Sequence, residues 1–163
     1  MKRNTLVVLG AMYMGLAGPT FAAPDVAAQD HKHEHGPTAT TAKLQLNAGK
    51  KWETDAPLRE AMNAIRQELA ASLHGIHENR LSNKEYSILA QKIERRVSDI
   101  VAKCKLEPKA DAQLHLIVAE LLASADAMQG KSKATPGAGA LQAVRAVNEY
   151  GKYFKHSGWK PLG

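Results

Sequence analysis

Between residues 58 and 105 apolar side chains recur in steps of three and four, and that period excludes most folds for this chain. Leu58, Met62, Ile65, Leu69, Leu73 and Ile76 form one series, and Tyr86, Leu89, Ile93, Val97, Ile100 and Cys104 form the next. A half-buried strand needs alternation every second residue, whereas steps of three and four draw one apolar stripe along a helix. Between the series, Ser82 is placed to cap a second helix while Glu85 reaches back to the Ser82 amide. Leu81 is positioned to staple onto Tyr86. So short a turn makes the two helices antiparallel, and neither can bury its stripe without further walls.

The rest of the chain supplies them. Thr54 or Asp55 can cap the first helix, with Pro57 tolerated in its first turn. Leu44, Leu46 and Trp52, the apolar groups of the preceding lead, are expected to pack on the bundle. A third helix starts near Pro108 and carries Ala110, Leu114, Ile117, Leu121, Ala125 and Met128, with Val118 and Leu122 widening the stripe. A fourth starts near Thr135 and Pro136, carries Leu141, Val144, Val147, Tyr150, Gly151 and Phe154, and ends at about His156. Beyond it Gly158 can take a left-handed position and Trp159 can fold back on the last turn. The expected fold is all-α, an up-down-up-down four-helix bundle over residues 43–163.

The residues before the bundle read differently. Lys2 and Arg3 precede an apolar run from Leu6 to about Ala17, then Gly18-Pro19 and small residues, the layout of a secretory signal peptide over residues 1–22. The run is short for a bilayer span. Cleavage after Ala22 fits best, and cleavage after Ala28 is the alternative. The mature protein is therefore expected to be exported, periplasmic or secreted in a bacterium, with no membrane span once the signal is cleaved. Losing Lys2 and Arg3 lowers the formal charge from +6 to +4. Acids interleave with the bases along the helix faces, so this excess reads as a solvated surface and nucleic acid is not expected as a partner. Cys104 is the one cysteine of the chain, which excludes an intramolecular disulfide.

Residues 23–42 are rich in Ala, Thr, Pro, Gly and His without an apolar period, and are expected to be a disordered tail. Within it stands Asp30-His31-Lys32-His33-Glu34-His35, with three imidazoles and two carboxylates in six residues. His31, His33 and His35, helped by Asp30 and Glu34, can wrap Cu(II), Zn(II) or Ni(II), which favour imidazole nitrogen. Ligands on a chain without a preformed cage bind labile ions, which suits capture and transfer better than catalysis. If the mature chain began at Gln29, its amine and His31 in third place could also enclose square-planar Cu(II) or Ni(II).

Second sites are weaker in sequence. His74 and His77 share a face near the end of the first helix, where they could join Glu78 around an ion or simply complement the negative helix end. Met62, Cys104, His115 and His156 all fall towards the opposite end of an antiparallel bundle. A thioether and a thiolate from Met62 and Cys104 would select Cu(I), although buried Met and Cys are more often plain core. No Ser/His/Asp arrangement, phosphate-cradling loop, H-E-x-x-H or C-x-x-C-H is present, so an enzyme is not expected.

The runs from Leu46 to Asp55, Ile100 to Leu106, Asp126 to Lys131 and Tyr153 to Pro161 together resemble the small exported proteins labelled DnrO-like. That resemblance implies a signal peptide, a His-rich leader and a helical domain, and no activity. In architecture the bundle is similar to cytochrome b562, which ligates haem through a Met early in its first helix and a His late in its fourth. Met62 matches the first position. The family's Asn-x-Tyr-His run reads Asn148-Glu149-Tyr150-Gly151 here, so Gly stands at the ligand position and His156 lies five residues later. The sequence thus favours a periplasmic metal-handling protein, copper first among the ions, with another periplasmic protein as a conceivable partner. The rivals are a structural, interaction or holdase-like module without metal and, behind it, a haem electron carrier.

Overall fold

The computed structural model describes residues 43–163. The expected signal peptide, the tail and its Asp30–His35 cluster lie outside the described residues. Four helices follow one another: α1 (Ala56–His77), α2 (Asn83–Lys103), α3 (Pro108–Met128) and α4 (Pro136–Tyr153). Each packs on its chain neighbours, α1 closes the ring on α4, and α2 touches α4 across the diagonal. The architecture is the all-α bundle that the stripes require.

Local chemistry sets the helix starts. Asp55 caps α1, its Oδ1 accepting from the Leu58 amide at 2.9 Å. Ser82 and Glu85 form the reciprocal box on α2: Ser82 Oγ accepts from the Glu85 amide at 3.3 Å and Glu85 Oε2 accepts from the Ser82 amide at 2.7 Å. Those bonds hold the Glu85 carboxyl below its usual range. Thr135 caps α4, and Pro108 and Pro136 occupy first-turn positions where no amide is needed.

The interior follows the stripes through Leu58, Ile65, Leu69, Ile93, Leu121 and Val147, all 1% exposed or less. Three expectations need correcting. Leu46 is 42% exposed: the lead turns tightly between Asn47 and Lys50, and Leu44 and Trp52 pack on the core instead. Leu122 and Leu141 are 41% and 37% exposed, because small residues carry the α3–α4 seam. A Cβ on Gly139 would stand 2.7 Å from the Ala127 Cβ and 2.9 Å from the Ser124 carbonyl, so the backbones approach closely and the buried face of α4 runs through Ala140, Ala143, Val144 and Val147. Leu81 packs on the core and also lies against Gly75 of α1. Finally, α4 stops at Tyr153, before His156, because Phe154 turns extended and brackets Trp52: the Trp52 amide donates to Tyr153 O and the Lys155 amide to Trp52 O, both at 2.8 Å.

After that bracket the chain folds back as a strap. The Asn148 amide group donates to Leu162 O at 2.7 Å while its Oδ1 accepts from the Leu162 amide at 2.8 Å, Arg66 Nε donates to Lys160 O, and the Leu162 side chain is buried. The strap thus ties α1 to α4.

Candidate functional site

The four histidines of the described residues have four different environments. At the end of α1, His74 and His77 are both exposed, and His74 Nε2 lies 2.8 Å from Arg80 Nη2. Arginine can only donate, so that nitrogen's lone pair is already engaged by a cation. Glu78, the carboxylate expected to complete a site there, has one oxygen 3.8 Å from His74 Nε2 and pairs through the other with Arg80 at 2.9 Å. An ion would have to displace the guanidinium from both ligands.

At the opposite end His156 is half-buried. Its Nδ1 shares a 3.0 Å hydrogen bond with the Tyr150 hydroxyl, and its ring lies 4.9 Å from that of Trp159. Burial first, and then the Arg59 guanidinium, lower its pKa below the ordinary histidine value. The Tyr150 hydroxyl is shifted upwards by its own burial. Tyr150 stacks on Phe154 with ring centroids 5.2 Å apart and meets Trp159 edge-on at 4.9 Å, so this end of the bundle is an aromatic plug.

Gly151 is needed for that plug. The Trp159 indole lies so close over it that any Cβ there would collide with Cδ1 and Nε1 of the ring. The space that a ligating side chain at position 151 would need is occupied by Trp159, whose Nε1 is buried without a hydrogen-bond partner. His156, five residues on, is held by Tyr150. The two positions through which the bundle could imitate a haem ligand on α4 are therefore both committed to packing.

Met62 is fully buried on α1. Cys104 is the residue that ends α2, partly buried, and its thiol is pushed up to about 12, by burial first and then by the Asp55 and Asp111 carboxylates. A thiolate is disfavoured there, so Cys104 at rest is a poor soft-metal ligand. Sequence reasoning assigned Asp55 only the helix cap; its second oxygen also accepts from the Lys105 amide at 2.7 Å, joining the start of α1 to the α2–α3 connection. Nothing in the local pattern signals a contact across fifty positions.

His115, on α3, is the remaining imidazole. Its Nδ1 lies 2.9 Å from the Asp111 carbonyl oxygen and 3.4 Å from Asp111 Oδ2, and its side chain is 69% exposed. It borders a cleft of about 210 Å³ between α2 and α3 together with Val101, Cys104, Asp111 and Val118. Among the described residues no three His, Cys, Asp or Glu side chains are grouped to hold a metal ion. No described helix is long and apolar enough to cross a membrane. The sequence matches no protein-family model, no curated protein and no solved structure.

Proposed function

We propose that this chain is an exported metal-handling protein, with copper the first candidate ion, in which Asp30, His31, His33, Glu34 and His35 collect the ion and the helical bundle carries them. One observation supports this reading above others: three imidazoles and two carboxylates fall within six residues of a segment that has no apolar period, directly ahead of a well-packed domain. Imidazole nitrogen suits Cu(II), Zn(II) and Ni(II), and ligands drawn from one short run give exchangeable binding. Lys2, Arg3 and the apolar run after them support export. Bound ions should leave as the pH falls below about 6.5, where imidazole takes up its proton.

Changing His31, His33 and His35 together to Ala tests the reading. Calorimetric titration of the variant with Cu(II) or Zn(II) is expected to show most binding lost, with the melting temperature of the metal-free protein unchanged. A triple variant that binds as tightly as the parent would remove the His run from the mechanism.

A second reading, an interaction module that needs no ion, draws on Val101. This residue is 72% exposed on α2 and lies beside half-buried Val118 on the rim of the α2–α3 cleft. Retention of partner binding by the triple variant would favour it.

A further inference from the structure

What α3 turns outward differs from what the other helices turn outward. Exposed positions on α1 include Glu60, Asn63 and Gln67, those on α2 include Lys84, Gln91 and Arg95, and those on α4 include Arg145 and Lys152. Between Lys109 and Asp126 the exposed positions of α3 are Ala112, His115, Ala119, Glu120, Leu122 and Ala123. Glu120 leans towards α4, where its Oε2 accepts from the Gln142 amide group at 2.6 Å. His115 turns Nδ1 back to the Asp111 carbonyl of its own helix. About 26 Å of helix surface is thus left without an outward formal charge at neutral pH. Amphipathicity marks the helix that keeps one side in water, and a helix apolar on every side is one whose outer face is covered.

The uncharged strip continues onto α2. Val118 and Leu122 stand one turn apart on the flank of α3, and Leu122 is 41% exposed. Val101 of α2, 72% exposed, shares with Val118 the rim of the 210 Å³ cleft, whose walls include Ile100 and Leu114. An apolar knob therefore stands beside an apolar-walled hole on one surface. A two-fold axis can set each knob against the other copy's hole, the reciprocity that an interface between identical chains requires.

Charge favours a second copy over an unlike partner. The chain is net basic, +6 by formal count, so two copies repel where their ordinary faces approach. The α3 strip is a face on which they meet without like charges opposed. A partner chosen by charge would be answered by a row of acids or bases, and the strip carries none. Size agrees with this occupant. The 21 residues of α3 run about 31 Å, and with the α2 flank the strip is about 20 Å wide, or about 600 Å² per copy. Two copies would bury about 1,200 Å², the low end for specific interfaces and the range of a reversible dimer.

We infer that the protein self-associates as a two-fold dimer through the outer face of α3 and its α2 flank, with Ala119 near the axis and Val101 packed on the other copy's α2–α3 cleft. Ala119 takes that place because it is the exposed residue next to the midpoint of α3, and its small side chain lets the two helices approach closely. The inference makes no use of the His run and stands apart from the metal-handling reading.

Sedimentation velocity of the whole chain in metal-free buffer should show a monomer–dimer equilibrium with a dissociation constant on the order of 10–100 µM. Ala119→Glu sets two carboxylates together at the axis, and it and Leu122→Glu should each weaken association by about tenfold or more. Both positions are exposed, so the variants should fold, and an unchanged Tm verifies this. In a Cys104→Ala background, Ala119→Cys should give a disulfide-linked dimer on mild oxidation. Ala71→Cys, exposed on α1, which does not touch α3, should link far more slowly. The His31/His33/His35 to Ala variant should dimerise like the parent. A parent that stays monomeric up to about 1 mM overturns the inference and gives the α3 face to an unlike partner. Glu variants that associate as tightly as the parent, or cysteine variants that link equally fast, overturn it by moving the contact to another face.

Discussion

Asp55 does more than any other single residue to hold one end of the bundle. Its carboxylate accepts from the Leu58 and Lys105 amides and raises the Cys104 thiol, so a helix start, a loop and a helix end meet around two oxygens. The thiol pays electrostatically for that position, standing near Asp111 as well and pushed up to about 12. Cys104 should therefore react slowly with a thiol reagent at pH 8 in the native protein and rapidly once it is unfolded; fast native labelling would mean that the thiol is neither shielded nor protonated as described. The same shift fixes a stability trend. A thiol whose folded pKa lies above its unfolded value of about 8.5 contributes stability that is fully present below that value and is lost as pH rises towards 12. Upward-shifted Tyr150 has the same sign. Stability measured by denaturant should thus fall from about pH 9 upwards, and Cys104→Ala should flatten part of the decline. That Cys104 sits on an apolar stripe was legible in the sequence; that its partner is Asp55 was not, because a contact between the start of α1 and the end of α2 exists only after the hairpin closes.

Helix existence and helix faces were readable to different degrees. The stripe on α2 carried over from Tyr86 through Leu89, Ile93 and Val97 to Ile100, all buried, while Cys104, its expected last member, stands at the C-cap and is only partly buried. On α4 the large residue Leu141 drew attention away from the glycine and alanines that carry the seam. Hydrophobicity marks which residues prefer burial, but it does not say how near two backbones come, and at α3–α4 nearness decides. Gly139 has the Ala127 Cβ, the Ser124 carbonyl and the Met128 amide nitrogen all within 3.0 Å of where a Cβ would stand. Two of those three atoms are backbone and cannot swing aside, so Gly139→Ala should push the helices apart and cost roughly 1–3 kcal/mol despite its better helix propensity. Ile93→Ala and Leu121→Ala, at fully buried positions, should each cost roughly 2–5 kcal/mol by leaving cavities. Urea titration of the three variants compares the two mechanisms directly; a stabilised Gly139→Ala would show that propensity outweighs the close approach.

At the scale of the whole molecule, the ring of four helices is closed by a segment that is not helical. Residues past Tyr153 bracket Trp52, lay Trp159 over Gly151, take the Arg66 guanidinium on Lys160 O and seat Leu162 in the core against the paired bonds of Asn148. The α1–α4 closure thus depends on side chains reaching to the strap as well as on direct helix contact. Removing Trp159–Gly163 would uncover the Tyr150 edge, take the buried Leu162 side chain out of the core and leave Asn148 without either bond. Burial of one leucine is worth about 1.5–3 kcal/mol and each of the two Asn148 hydrogen bonds a net 0.5–1.5, so the loss should total roughly 2.5–6 kcal/mol. Trp52, the tryptophan that remains, reports the outcome by fluorescence because its indole is buried beside the bracket. The His31/His33/His35 to Ala variant is the matched control, with no expected effect on the metal-free protein. If the strap deletion also costs less than about half a kcal/mol, α1 and α4 close without it. If it costs several, the bundle holds together through its C-terminal segment as well as through direct helix contact.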